Sequence, residues 1–206
     1  MKNIISPILL LALFVSVNAD ARTTESFTGY QEFRSTSFEN VSINGSADFK
    51  NVKLVSGSVT GDLEFDDLIV KKTLDVTGNV FGLEGAFHKL HVVGPVRLAN
   101  TRIELLDVTG PTTLKNSSVG TMHIIGFLKA TNTVLGNINA TTNSIILHDS
   151  KAGVIRVKKS GSIEQKLTLN NSSAKEVIFE SGNGKIAIIG NAEIAGKIVG
   201  GIIVQE

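Results

Sequence analysis

Three equally spaced side chains, His91, Asp107 and His123, are of the types that bind zinc. Each stands directly before a triplet of β-branched residue, any residue and glycine. Two imidazoles and one carboxylate hold Zn²⁺ in catalytic sites and leave a fourth position open. Whether these residues meet depends on the repeating element that carries them, because residues so distant in sequence are neighbours only if the chain returns on itself.

The same position in neighbouring repeats is also polar, with Ser42, Ser58, Asp75 and Asn139. A second interpretation is therefore a ladder of charges on the solvent face, in which Asp107 pairs with the histidine on either side for a few tenths of a kcal/mol per pair. An exposed column lacks the hydrogen bonds that orient metal-bound histidine. We favour the ladder, keep a zinc site on His91, Asp107 and His123 as the alternative, and predict no cofactor.

The repeat shows first in its glycines. Six triplets of β-branched residue, any residue and glycine end at Gly45, Gly61, Gly78, Gly94, Gly110 and Gly126. The steps between successive glycines are equal, apart from one extra residue between Gly61 and Gly78. A large apolar residue follows four positions later in most units, and apolar residues otherwise alternate with polar ones. This pattern predicts short strands with period-2 alternation, broken at a glycine corner.

A second corner follows six residues after the glycine. It is occupied by Asn or Asp at Asn51, Asp67, Asn100, Asn116, Asn132 and, one residue late, Asp149. Asn tolerates left-handed backbone, and its amide can bond the Asn of the next repeat, so we expect a structural ladder. Residues 79–88 are expected to carry one extra residue and to lose this corner to Gly85, which predicts a bulge there.

One such unit buries too few aliphatic groups to offset its backbone entropy, whereas stacked units share one core. The sequence therefore predicts an all-β, single-domain parallel β-helix, or β-solenoid, with coils of about 16 residues. About ten coils fit between residues 28 and 200 at strand spacing. We divide the chain into residues 22–40 (N-terminal cap and first coil), 41–155 (regular repeats), 156–168 (irregular turn or extension) and 169–206 (C-terminal coils).

Residues 1–19 are predicted to be a signal peptide. Lys2 precedes an apolar run from Ile4 to Val17, and the small residues Ala19 and Ala21 offer cleavage points after either one. The run falls short of the roughly 20 residues that a spanning helix needs, so we expect no stable membrane span. The mature chain is expected to be secreted, periplasmic or on the cell surface.

Charge and composition exclude several function classes. The chain has 20 Lys and Arg against 19 Asp and Glu, which gives no basic footprint for nucleic acid. It has no Cys, hence no disulfides and no thiol nucleophile. Signatures of serine hydrolases, zinc proteases and phosphate-binding loops are missing. We predict that the protein is not an enzyme, and a polysaccharide-acting hydrolase ranks third among the functions considered.

Two segments, GNAEIAGKIVGG (190–201) and SGSVTGDL (56–63), resemble bactofilins, which are bacterial β-solenoid proteins that polymerise end to end without nucleotide. The resemblance implies filament formation, although the export signal departs from the usual cytoplasmic or membrane-associated location of bactofilins. The apolar C-terminal IVGGIIVQE is either a docking surface or folded back on the last coil.

Our leading hypothesis is a structural β-solenoid that acts through surface contacts or self-association, as a filament, surface layer or adhesin-like protein. It would contact further copies end to end or an envelope partner. The alternative is a ligand- or metal-binding module around His91, Asp107 and His123.

Overall fold

A computed structural model describes residues 22–159 and 164–204, and these form a parallel β-solenoid of about 11 turns with no helix. The predicted signal peptide, residues 1–19, lies outside the described residues. Within the described part of the chain, nothing forms a helix long and apolar enough to cross a membrane.

The solenoid contains eighteen strands in the described residues. They are β1 (Arg22–Thr28), β2 (Gln31–Asn44), β3 (Ala47–Thr60), β4 (Leu63–Thr77), β5 (Val80–Val93), β6 (Val96–Thr109), β7 (Thr112–Lys115), β8 (Ser118–Ile125), β9 (Leu128–Thr131), β10 (Val134–Thr141), β11 (Ser144–His148), β12 (Lys151–Val157), β13 (Gln165–Asn170), β14 (Ser173–Phe179), β15 (Gly184–Ile189), β16 (Glu193–Ile194), β17 (Ile198–Val199) and β18 (Gly201–Val204).

Every strand pairs in parallel with the equivalent strand of a neighbouring coil, so the predicted vertical stacking is confirmed. Leu98 on β6 is the register partner of Leu114 on β7, one coil later. Phe33 likewise pairs with Phe49, and Phe49 pairs with Phe65. This parallel pairing joins the inward residues of successive coils into one continuous core.

Each regular coil has three short sides, and each side turns two residues inward. In the coil of β6 the buried residues come in three pairs, and they are Val96 and Leu98, Thr101 and Ile103, and Leu106 and Val108. A left-handed residue, Asn100 in this coil, separates the first two pairs, and the glycine corner separates the third pair from the next coil. The cross-section therefore has three sides, with the core at its centre.

One inward column is apolar at Val52 and Leu68 and becomes polar from Thr101 onward, and the repeat pattern read from the sequence leaves it unassigned. It directly follows the Asn/Asp corner and contains the buried hydroxyls of Thr101, Ser117, Thr133, Ser150 and Ser172. The Ser117 hydroxyl donates to the Lys115 carbonyl at 2.8 Å and accepts from the Thr101 backbone N–H at 3.2 Å. Thr133 N–H donates to Ser150 Oγ at 3.0 Å in the same manner. These hydroxyls satisfy backbone groups at the bend, where strand pairing alone leaves buried donors unpaired.

The bulge expected in residues 79–88 lies elsewhere. The register between β4 and both of its neighbours shifts after Val70, so the extra residue belongs to the Lys71–Lys72 stretch of β4. The corner of the following coil is kept by Glu84, which has a φ of 54°. The predicted replacement of this corner by Gly85 was therefore wrong.

Gly85 and Gly82 instead occupy inward positions of β5. The rings of Phe65 and Phe87 fill the space that a side chain at these positions would need. A Cβ on Gly85 would lie 2.7 Å from the Phe87 ring and 3.0 Å from the Phe65 ring. These two rings meet edge to face with centroids 5.3 Å apart. A small-to-large alternation inside the core thus explains the glycines that made this coil look irregular in the sequence.

The stack begins earlier than the sequence predicted. β1 pairs in register with β2, placing Phe27 next to Ile43, so it continues the ladder as a partial coil before Thr28. The Phe27 ring packs on Phe33 at 5.0 Å and Phe38 at 6.3 Å between centroids. Near the other predicted irregularity, β12 ends at Val157 and β13 begins at Gln165, and residues 160–163 are outside the described residues.

The glycine corner provides a test of the tight stacking. A Cβ on Gly61, whose φ is 152°, would lie 2.6 Å from the carbonyl oxygen of Gly45 in the coil before. We expect Gly61→Ala to lower the free energy of unfolding by about 2 to 4 kcal/mol, because backbone strain and a backbone clash add up. Urea denaturation followed by circular dichroism would measure it.

The matched control for this substitution is Gly182→Ala. Gly182 also has a positive φ, 71°, but an added Cβ would meet no atom within 4 Å. Its expected cost is about 1 kcal/mol, from backbone conformation alone. Equal losses for the two variants would contradict close backbone stacking at the glycine corner.

Candidate functional site

The polar column predicted from the sequence lies on one side of the solenoid. Its members are register partners along successive coils, in the order Ser58, Asp75, His91, Asp107, His123 and Asn139. They alternate along the strands with buried residues such as Val108 and Ile124, which directs the column to solvent. His91, Asp107 and His123 are thus vertical neighbours one strand spacing apart, roughly 4.8 Å.

Within this column the side chains form separate pairs. His123 Nδ1 lies 2.8 Å from Asp107 Oδ1, and His91 Nδ1 lies 3.2 Å from Asp75 Oδ1. Each histidine therefore contacts the acid of the coil before it, and Asp107 does not bridge two histidines as the charge ladder had supposed. The second oxygen of Asp107 is 3.5 Å from Lys89 Nζ, a cation that the sequence analysis did not include.

The arrangement leaves one nitrogen of each of these two rings available. Within the described residues, Nε2 of His91 and Nε2 of His123 make no hydrogen bond. A carboxylate that accepts from Nδ1–H fixes the ring and leaves Nε2 as an acceptor or a metal ligand. His123 is the better placed of the two, since its contact is shorter and the Asp107 side chain is only 25% exposed.

A shallow groove of about 630 Å³ runs beside this column. Its lining combines the polar residues His91, Asp107 and His123 with Ile125, an apolar side chain that is 56% exposed. Lys158 adds a cation at the C-terminal side, which the sequence analysis also did not assign. The groove mixes polar and apolar groups, is wide enough for a small ligand, and takes its polar groups from successive coils.

A zinc site would need the three predicted ligands to converge, because Zn–N and Zn–O bonds are about 2.0 to 2.2 Å long. Among the described residues, no three His, Asp or Glu side chains come close enough to hold a metal ion. Zinc binding at His91, Asp107 and His123 therefore stays a prediction, and it requires His91 to turn from Asp75 toward Asp107.

The other two histidines also pair with a carboxylate, although not with that of the coil before. His88 Nδ1 lies 2.7 Å from Glu104, again one coil away, and His148 Nε2 lies 3.0 Å from Asp149. All these groups are largely exposed, and exposed ion pairs contribute about 0 to 1 kcal/mol. Pairing with a carboxylate is thus a general feature of the surface and does not mark His91 or His123 as special.

The predicted Asn/Asp ladder lies on one corner of the solenoid. The backbone φ is between 48° and 60° at all six positions, Asn51, Asp67, Asn100, Asn116, Asn132 and Asp149. Asn116 Nδ2 donates to Asn100 Oδ1 at 3.3 Å, and Asn132 Nδ2 donates to Asn116 Oδ1 at 2.9 Å. Ser35, Glu84 and Asn171 have the same left-handed conformation, so the corner extends through coils where the sequence pattern is weaker.

No protein-family model, curated protein or solved structure matches this chain. The parallel β-solenoid is consistent with the resemblance to bactofilins at the level of the fold. A functional assignment has to come from the surfaces of the solenoid itself.

Calorimetric titration with Zn²⁺ would test the column. Because its side chains form two separate pairs, we expect the wild type to bind Zn²⁺ no more tightly than about 100 µM and His123→Ala to give the same trace. His148→Ala is the matched control, since it removes an exposed histidine outside the column. Tighter binding that persists in His148→Ala and disappears in His123→Ala would establish the metal site instead.

Two substitutions at one corner would separate backbone conformation from the amide ladder. Asn116→Gly removes both ladder hydrogen bonds but accepts the left-handed φ, and we expect a loss of about 1 kcal/mol. Asn116→Ala adds the cost of left-handed backbone, for a total of about 2 kcal/mol. Denaturant unfolding measures both, and a larger loss for the glycine variant would contradict this account of the corner.

Proposed function

We propose that this protein is a non-enzymatic structural β-solenoid that works outside the cytoplasm through surface contacts and self-association. Filaments, surface layers and adhesin-like appendages are the assemblies that such a rod would build. Its partners are further copies of the chain, joined end to end, or a component of the cell envelope. Membership of the bactofilin family is part of this proposal.

The observation that carries the proposal is the open C-terminal end of the core. Ile203 is the register partner of Ile186, which is fully buried, yet Ile203 is 52% exposed because no further coil of the described chain covers it. Ile202 and Val199 in the same coil are 63% and 44% exposed, and their register partners Lys185 and Ile178 belong to outward columns, so only Ile203 continues the core. An apolar core residue left exposed on a strand edge favours the addition of another strand or coil.

The N-terminal end of the solenoid differs from its C-terminal end. Phe27, in the first described strand, is partly buried in an aromatic cluster with Phe33 and Phe38. Phe33 and Phe38 are buried in the core beneath Phe27, whereas Ile203 at the C-terminal end is 52% exposed. A contact that extends the core would therefore start at the C-terminal coil.

The location outside the cytoplasm is proposed from the sequence of residues 1–21, in which an apolar run is followed by the small residues Ala19 and Ala21. The proposal that it is not an enzyme comes from the missing motifs and from coils too short to build a deep substrate groove. A polysaccharide-acting hydrolase is the third candidate, and the release of sugars from a panel of polysaccharides would support it.

The second candidate function is a ligand- or metal-binding module on the side of the solenoid. The groove along His91, Asp107 and His123 favours it, because it joins polar groups with the exposed Ile125. The zinc titration described above decides the metal version of this candidate.

Sedimentation velocity and electron microscopy of the mature chain, without the predicted signal peptide, would test self-association. We expect concentration-dependent end-to-end assembly, and we expect Ile203→Lys to weaken it by at least about tenfold, because a contact there would bury an unpaired ammonium. Val134→Lys is the matched control, since Val134 is 56% exposed but lies on the side of the rod. A wild type that remains a monomeric rod at high concentration would defeat the filament proposal.

A further inference from the structure

One side of the solenoid carries opposite charges on its two halves. We call it the first side, and it lies between the glycine corner and the Asn/Asp corner of each coil. Its outward positions form two columns in continuous register from β2 to β9. The first column contains Glu32, Asp48, Glu64, Phe81, Arg97, Thr113 and Lys129, and the second contains Arg34, Lys50, Asp66, Leu83, Ala99, Lys115 and Thr131.

The half of the first side before Phe81 and Leu83 is acidic, and the half after them is basic. The acidic half has four acids and two bases, which are Glu32, Asp48, Glu64 and Asp66 against Arg34 and Lys50. Both bases are already used within the chain, since Arg34 pairs with Glu32 and Lys50 pairs with Asp48. The columns of the basic half contain no acid, and their charged members are Arg97, Lys115 and Lys129.

The remaining charges of the first side have no partner in the described chain. Glu64 and Asp66 on β4 are exposed, and their side chains make no hydrogen bond or ion pair within the described residues. The same holds in that part of the chain for the side chains of Arg97, Lys115 and Lys129. A face with unpaired acids on one half and unpaired bases on the other is complementary to its own reversed copy.

Two apolar side chains, Phe81 and Leu83 on β5, separate the acidic half from the basic half. They are 56% and 42% exposed, and they face the same way because only the inward Gly82 lies between them. Three coils of the first side precede β5, and three follow it up to β9. An exposed apolar pair at the centre with charged residues around it is the usual arrangement of a protein interface.

The first side is regular enough to be matched by a second copy. The register shifts of β4 come after Leu54 of β3 and after Val70, both on the next side of the coil, so they do not disturb the first side. Its strands are therefore evenly spaced over a length of roughly 30 Å. With four residues along each strand, as in β7, two such faces would bury roughly 1,000 Å² in total, at the lower limit for a specific contact.

We propose that two copies of the chain pair through their first sides in antiparallel orientation, about a two-fold axis at Phe81 and Leu83. The axis runs along the strands, so each coil before β5 faces the coil equally far after β5 in the second copy. Glu64 then faces Arg97 of the second copy, and the Phe81 rings of both copies meet at the centre.

Other ways of pairing the same faces fit less well. A parallel pair would bring Glu64 against Glu64 and Arg97 against Arg97, and like charges in contact oppose association. A shift by one coil would place Phe81 against Glu64 or Arg97 and lose the apolar centre. The antiparallel pair goes beyond the proposed function and does not rest on it, because the end-to-end contact at Ile203 uses a different surface.

Sedimentation equilibrium of the mature chain with Ile203→Lys, which suppresses the end contact, would test the pair. We expect this parent to dimerise with a Kd of about 1 to 100 µM. Glu64→Arg should weaken the dimer at least about tenfold, because the two-fold axis creates the new like-charge contact twice. Arg97→Glu should do the same, whereas both substitutions together restore opposite charges and should return the Kd to within about threefold of the parent.

Glu39→Arg is the matched control, because it reverses an exposed acid outside the first side. An unchanged Kd in this variant, with loss in each single reversal and recovery in the combination, supports the proposal. Equal weakening by Glu39→Arg, no recovery in the combination, or no dimer of the parent at about 1 mM would overturn it. Thermal melting curves verify that the variants are folded, and Glu64 and Arg97 are both exposed. A wild type that forms dimers and no longer assemblies would contradict the end-to-end contact alone.

Discussion

The parallel hydrogen-bond ladder between successive coils requires that equivalent residues lie directly above one another. A coil that gained or lost a residue without compensation would turn its inward side chains to solvent, because the side-chain period along a strand is two. The chain meets this constraint by bending at fixed points. Glycine corners such as Gly61 and Gly94 approach the backbone of the neighbouring coil too closely for a side chain. Asn and Asp corners adopt left-handed backbone that other residues avoid.

Because equivalent residues lie above one another, each position of the repeat forms a column along the rod. The residue types in a column decide whether its neighbours pack, form hydrogen bonds or repel each other. Aliphatic columns share one core, and the hydroxyl column that includes Thr101 and Ser117 satisfies backbone groups at the bend. Surface columns bring like charges together unless opposite charges alternate. Asp107 with His123 is an alternating case, whereas Asp48 with Glu64 is not. In the like-charge column the compensation comes from residues two positions along the same strand, since Arg34 pairs with Glu32 and Lys50 pairs with Asp48.

The periodic residues made the fold predictable from the sequence alone, because regularly spaced glycine and Asn columns indicated the stacking and the register of Leu98 on Leu114. The hydroxyl column was not predictable in the same way, because Ser and Thr in a strand pattern are normally assigned to the solvent face. The corner at Glu84 was missed since Glu rarely adopts positive φ, and the neighbouring Gly85 offered a more usual candidate. The longer step between Gly61 and Gly78 was a signal that could have placed the extra residue in β4, whereas the prediction assigned it to residues 79–88 because they lack the Asn corner.

For the candidate sites, periodicity gives the vertical neighbours of His91 but cannot say whether the ring turns to Asp75 or to Asp107, since both lie one strand spacing away. Burial of Asp48 depends on neighbouring columns as well as its own, so the sequence does not say how deeply this nominally outward residue sits.

Residues of the last described coil differ from those of the middle coils in having a neighbouring coil on one side only. A side residue of a middle coil has coils above and below it, so its charges can be balanced within the chain. Ile203 is the last described member of a core column, and no further coil of the described chain covers it. Apolar burial stabilises by about 25 cal/mol per Å² removed from water, and a second surface that continues the column would recover it. The exposure of Ile203 is therefore the feature on which the proposed assembly rests.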